Sequence, residues 1–156
     1  MSLSIGDKAP NFTLPDQEGQ EQTLSAYKGS PVVLYFYPKD HTSGCTTEAC
    51  GFRDDYSAYQ EAGVTILGVS PDSPKTHTNF ISKHDLPFTL LADTEREVLK
   101  LYGAWGLKKM YGREYEGVLR TTFLIGADGK IAKIYEKVKP AAHSAEILAD
   151  LKEMEA

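Results

Sequence analysis

The stretch PVVLYFYPKDHTSGCTTEACGFR, Pro31–Arg53, decides the fold. Val32 to Tyr37 is a continuous apolar run rather than an alternating one. That is the pattern of a strand buried on both faces, and so of a central strand in a largely parallel or mixed sheet. Pro38 stops it, since proline lacks the N–H that a ladder needs. A helical pattern leaves the stretch through Phe52, Tyr56 and Tyr59, so a helix is expected from Cys45 to about Glu61, with Gly63 near its C-cap. Both cysteines of the chain, Cys45 and Cys50, lie here. Cys45 falls where the strand gives way to the helix. Unpaired backbone N–H groups and the positive end of the helix dipole point at a sulfur in that place, which favours thiolate and predicts an exposed thiol.

Upstream, Phe12–Leu14 and Gln22–Leu24 flank turn chemistry at Pro15–Gly19, which predicts a small N-terminal β-hairpin. Downstream, Val64–Ser70 reads as a second buried strand. Pro74 suits the first position of a helix running to His84. Phe88–Leu91 is a short strand, and Asp93 or Thr94 can cap a helix that Gly103 ends. Ala104–Leu119, with Lys108-Lys109-Met110-Tyr111-Gly112 inside it, reads as a loop with room for a short helix. Thr121–Ile125 and Ile131–Tyr135 form a hairpin around Asp128-Gly129, and Ala142–Met154 is a closing amphipathic helix. A βαβ unit followed by an antiparallel pair predicts an α/β fold: a mixed central sheet flanked by helices. With no linker or repeat in view, residues 1–156 read as one domain.

Composition narrows the function. Net charge is −5 without a basic run, which argues against nucleic acid or an anionic membrane surface as partner. No apolar stretch approaches the roughly 20 residues of a membrane span, and the N-terminus has no signal pattern. Two cysteines do not make a disulfide framework, so the expectation is a cytoplasmic protein in which cysteine matters as a thiol.

A lone cysteine is more often core filler than nucleophile. Around Cys45, however, His41, Thr42, Ser43 and Gly44 are small or polar and pack poorly as core, and one helical turn puts the Thr42 hydroxyl beside the sulfur. Cys45 and Cys50 do not make C-x-x-C, which counts against a disulfide reductase. Five apart on a helix, their Cα atoms stand roughly 8–9 Å from each other, beyond the ~7 Å that a disulfide spans. By spacing alone Cys50 is as well read as a small core residue of the helix. Zinc needs about four ligands, and only His41 joins the two cysteines, so neither a metal nor another cofactor is expected.

Pro38, Thr42 and Cys45 make P-x-x-x-T-x-x-C, which resembles the active-site motif of peroxiredoxins. With GVSPDSPKTH, KKMYG and RTTFLI downstream, nearly the whole chain looks like the bacterioferritin-comigratory, or peroxiredoxin Q, subfamily. The resemblance implies a thioredoxin-like fold with an added N-terminal hairpin. It implies a peroxidase that reduces hydrogen peroxide and organic hydroperoxides. Cys45 matches the peroxidatic cysteine, Thr42 the threonine that contacts sulfur and peroxide, and Pro38 the proline that shields the site. Arg120 matches the arginine that supports the thiolate, and Glu48 a position that orients that arginine. Cys50 matches the resolving cysteine of one branch, giving an intramolecular disulfide that thioredoxin reduces; resolution within one chain in turn fits a monomer. Pro140-Ala141-Ala142-His143 departs from the glycine usual before that histidine, and no role is expected of His143.

The competing reading from a different class is a thioredoxin-fold binding module whose thiols only sense redox state. Other conspicuous residues take ordinary roles: Tyr35 and Tyr37 as sheet core, Trp105 as loop packing, Lys108-Lys109 as a solvated pair. Phe80 and Phe88 either wall the site or fill the core.

Overall fold

The computed structural model describes residues 3–110, 112–136 and 138–155, apart from the side chains of Lys109, Met110 and Glu155. An N-terminal hairpin, β1 (Thr13–Pro15) and β2 (Glu21–Thr23), leads through a 3-10 turn at Leu24–Tyr27 into β3 (Val32–Phe36). Then come α1 (Ser43–Asp54), α2 (Tyr56–Glu61), β4 (Thr65–Ser70), α3 (Pro74–His84) and β5 (Thr89–Ala92). The chain closes with α4 (Glu97–Leu101), β6 (Trp105–Met110), β7 (Arg113–Val118), β8 (Thr121–Ile125), β9 (Ile131–Tyr135) and α5 (His143–Glu155).

The central sheet has the order β5-β4-β3-β8-β9. β3 pairs parallel with β4 and antiparallel with β8, so it is central, and all five of its residues are buried. Its side chains alternate between two apolar clusters, one on each face of the sheet. Val32, Leu34 and Phe36 join Leu99 and Tyr102 with the N-terminal hairpin. Val33, Tyr35 and Tyr37 join Phe52, Tyr59, Phe80 and Ile147, from α1, α2, α3 and α5. Gly68 lies opposite Tyr35 in register, and a Cβ there would sit 2.8 Å from the Tyr35 ring, so that tyrosine needs the glycine.

Three expectations are corrected. The helix after Pro38 begins two residues early, at Ser43, and breaks into α1 and α2 at Asp55, whose ψ of 8° leaves the helical region. Arg96, left-handed at φ 61°, precedes α4 instead of Asp93 or Thr94; Asp93 still serves the helix, its carboxylate accepting from the Leu99 N–H at 2.7 Å. The stretch read as a loop is a hairpin, β6 paired with β7 from Trp105↔Val118 to Met110↔Arg113, with Tyr111 outside the described residues. Four of the six β7 residues are exposed, so the strand carries no alternation to read.

Candidate active site

Thr42 is the N-cap of α1, with extended backbone, and the first helical bond runs from Thr46 N–H to its carbonyl. The N–H groups of Ser43, Gly44 and Cys45 therefore precede the helical ladder, and no acid occupies the first turn. Cys45, Glu48, Ala49 and Phe52 are spaced one turn apart, and they form the face that α1 lays on the sheet. This spacing corrects the expected exposure of the thiol: Cys45 is only 1% exposed. The helix tip is right, but its inner face carries the sulfur.

Arg120 arrives from the other direction. Phe36 pairs with Thr121 in the β3–β8 ladder, so the residue before Thr121 emerges at the end of β3 where the chain turns into α1. Its guanidinium bridges two groups one helical turn apart. Nη2 donates to Cys45 Sγ at 3.3 Å, and Nη1 donates to Glu48 Oε1 at 2.6 Å. The planar fork of arginine makes such bridging natural, whereas lysine offers a single ammonium. Gly44 gives the guanidinium its room: a Cβ there would lie 3.1 Å from Nη2.

Glu48 is fully buried, and among the described residues its Oε2 has no hydrogen-bond partner. Burial raises its pKa to about 7 despite the opposing pull of Arg120. Desolvation thus outweighs the ion pair, as the unpartnered oxygen would suggest. Burial also works against the charge on Arg120, but Glu48 and Cys45 more than offset it and raise its pKa.

Two further residues bear on the site, though the sequence reading gave them no part in it. His143 is buried at the start of α5, with Nε2 2.7 Å from Thr122 Oγ1 and 4.0 Å from Glu48 Oε2. Burial lowers its pKa, and its Nδ1 faces Glu146 Oε1 at 3.2 Å. Lys108, expected as solvated, is half-buried on β6; burial lowers its pKa, Arg120 adds to that effect and Cys45 opposes it, so its ammonium feels both site groups. A basic residue on a strand with no readable pattern gave no sign of this.

Thr42 departs from expectation. It is exposed, and its hydroxyl donates to the Lys39 carbonyl at 2.7 Å rather than meeting the sulfur. With its proton committed there, Oγ1 is left as an acceptor. Pro38 is half-buried at the end of β3. Cys50 is half-buried on α1, and both thiols are free. Tyr35 and Tyr37 are core as expected, and Phe80 and Phe88 are also buried in that cluster. Trp105 packs on the opposite cluster beneath the Arg96 guanidinium, 5.4 Å from its ring centroid.

A profile of the AhpC/TSA family matches residues 5–134. Peroxiredoxin Bcp of Bacillus subtilis is 49% identical over 154 residues, covering 99% of this chain and 98% of the relative. A mutant PrxQ of Xylella fastidiosa superposes with a TM-score of 0.94 at 34% identity, covering 100% of this chain and 99% of the other. The bacterioferritin comigratory protein of Xanthomonas campestris, solved to explain its alkyl peroxide reduction activity, gives 0.88 at 38% identity, covering 93% and 92%. These solved relatives share the thioredoxin-like arrangement of sheet, helices and N-terminal hairpin seen here. The match runs through the P-x-x-x-T-x-x-C segment and the Arg120 strand together, and on that ground the chain belongs to the AhpC/TSA family, as a peroxiredoxin of the Bcp, or PrxQ, type.

Proposed function

We propose that the chain is a thiol peroxidase that reduces hydrogen peroxide and organic hydroperoxides through Cys45. The observation that carries this is the 3.3 Å bond from Arg120 to the Cys45 sulfur at a helix tip whose first N–H groups are open. The guanidinium and those N–H groups favour the thiolate, which is the nucleophile. Its sulfur attacks one peroxide oxygen in line with the O–O bond. That bond breaks, the sulfur is oxidised to sulfenic acid, and the other oxygen leaves as alkoxide or hydroxide and takes a proton to become alcohol or water. Arg120 and the Cys45 N–H stabilise charge on the oxygens. Thr42 Oγ1, an acceptor once its proton is held by Lys39, orients the substrate O–H. Glu48 sets the plane of the guanidinium, and Pro38 shields the sulfur from water.

Cys50 then attacks the sulfenic sulfur, and water leaves as the disulfide forms. Both cysteines lie on one continuous helix, so this step requires α1 to unwind. A dithiol protein, thioredoxin, reduces the disulfide and restores both thiols. Since resolution occurs within one helix, a monomer suffices, and a reducing cytoplasm is the compartment in which two free thiols persist.

A coupled assay with thioredoxin, thioredoxin reductase and hydrogen peroxide tests the reading. Cys45→Ser loses peroxide consumption, and Cys50→Ser accumulates a sulfenic acid on Cys45 that a dimedone-type reagent traps. Full activity in Cys45→Ser would end it in favour of a redox-sensing binding module.

A further inference from the structure

Asp40 and His77 are buried polar residues for which the chemistry above has no use; Asp40 is 2% exposed and His77 is fully buried. Asp40 Oδ2 faces His77 Nδ1 at 2.6 Å, and Asp40 Oδ1 accepts from the Tyr37 hydroxyl at 2.6 Å. The Asp40 N–H donates to Asp72 Oδ2 at 2.8 Å, an oxygen that also accepts from Ser70 Oγ at 2.7 Å. The other ring nitrogen of His77, Nε2, donates to the Leu91 carbonyl of β5 at 2.9 Å. Asp40, Asp72 and His77 bring ligand-type atoms within 4.8 Å of one another, yet both Asp40 oxygens, Asp72 Oδ2 and both His77 ring nitrogens are engaged in these internal bonds. The geometry builds a clasp rather than a cation site.

We propose that Asp40 and His77 are positioning residues for Cys45, which hold the loop ahead of α1 and so set how often the first turns of that helix unwind. This rests on the roles proposed above for Cys45 and Cys50.

Only His41 and Thr42 separate the clasp from the helix. His41 is left-handed at φ 65°, a conformation that costs a side-chain-bearing residue energy and persists only where its surroundings impose it. The clasp fixes Asp40 on one side, and Phe80 of α3 holds the His41 ring at 5.1 Å. Unwinding of α1 lets His41 relax, and the clasp opposes that release. The next residue, Thr42, supplies the first helical acceptor and is tied back to Lys39. The anchors on the far side are β4, β5 and α3, elements of the folded body rather than of the loop.

The consequence is a partition. A Cys45 sulfenic acid in the folded helix meets a second hydroperoxide and goes to sulfinic acid, the sulfur losing two more electrons as another O–O bond breaks and alcohol, or water from hydrogen peroxide, leaves. In the unwound helix it meets the Cys50 thiol and goes to disulfide and water. A firm clasp favours the first outcome at high peroxide, and a weak one favours the second.

The test is mass spectrometry of Cys45 after graded hydrogen peroxide, with the thioredoxin system cycling the enzyme. The set comprises Asp40→Ala, Asp40→Asn, Tyr37→Phe and a control, Val98→Ala, which thins the apolar cluster on the opposite face of the sheet. Loss of one or two net hydrogen bonds predicts that Asp40→Ala lowers the sulfinic-to-disulfide ratio about fivefold. Tyr37→Phe, which keeps its ring and loses one hydroxyl, moves the ratio the same way by less. Asp40→Asn restores part of it, and Val98→Ala leaves it alone. The proposal is overturned if Asp40→Ala and Tyr37→Phe keep the wild-type ratio, or if Val98→Ala shifts it as far. Absence of any trapped sulfenic acid on Cys45 in Cys50→Ser is a separate failure, that of the peroxidase reading itself.

Discussion

Arg120 serves two acceptors, and they compete. When Glu48 is ionised it draws the guanidinium's charge; when Glu48 holds a proton, that charge is left to the Cys45 sulfur. Arg120→Lys keeps a cation but cannot bridge both atoms, and we expect the rate constant of Cys45 with hydrogen peroxide to fall about a hundredfold, the scale of losing one oriented donor. Competition for peroxide against a reference peroxidase measures it. Gly44→Ala reaches the same guanidinium from below: the added methyl, 3.1 Å from Nη2, displaces it, so activity drops while thermal stability holds or rises. Glu48 also leaves a pH signature. Its folded pKa, about 7, lies above its unfolded value near 4.5, so the stability tied to its neutral form is whole below pH 4.5 and is lost as pH rises through 7. The loss is on the order of 3 kcal/mol at most. Urea unfolding at a series of pH values should show this decline in the wild type and not in Glu48→Gln, whose neutral amide still accepts from Arg120. Cys45 was legible from its place at the strand-to-helix junction; Arg120, 75 residues away, and Glu48 were legible only through the family resemblance. His143 and Asp40 were not, since their partners, Thr122 and His77, lie 21 and 37 residues away and only the fold brings them close.

Helix α1 is built to come undone at its start. Between Cys45 and Cys50 it buries only a thiol, a methyl and the reluctant carboxylate of Glu48, while its large anchor, Phe52, comes later. Unwinding these turns exposes little apolar area and returns Glu48 to water, which places the segment at the low end of local stability. Amide hydrogen exchange over Ser43–Cys50, corrected for intrinsic rates, should therefore lose protection as pH rises through about 7 in the wild type, because ionised Glu48 favours the open form. In Glu48→Gln the protection should stay level. A flat profile in both proteins would remove Glu48 from the opening step. Elements of this kind differ in how far sequence reveals them. β3 announced itself through an unbroken apolar run, and the β8–β9 hairpin through Asp128-Gly129, with Gly129 at φ 84° as such a turn requires. The β6–β7 hairpin stayed hidden because it stands largely in solvent, and its pairing buries too few side chains to impose a period. Lys108, whose charge the site groups Arg120 and Cys45 influence, was hidden with it.

Across the whole molecule, the sheet separates what holds the protein together from what reacts. The cluster built on Leu34, Phe36, Leu99 and Phe123 includes none of the residues assigned to peroxide chemistry. The other cluster contains Cys45 itself, and Phe52 lies at its centre, its ring 4.9 Å from Tyr35, 5.8 Å from Tyr59 and 5.8 Å from His143. Truncations on the two faces should then have different effects. Leu99→Ala removes a fully buried side chain and should cost about 2–5 kcal/mol of stability. Since its cluster includes no residue of α1, the rate constant of Cys45 with peroxide should stay within about twofold, sites without shared partners being nearly additive. Phe52→Leu keeps much of the volume, and should cost less stability, about 1–2 kcal/mol. It loosens the anchor on which the unwinding helix pivots, so the disulfide should form faster after peroxide addition and the folded site should react more slowly. Urea unfolding gives the first quantity, and rapid-quench mass spectrometry of Cys45 gives the second. If Leu99→Ala slows peroxide attack as much as Phe52→Leu does, the two faces are coupled through β3, and the sheet transmits packing changes that the separation of the two clusters says it should block.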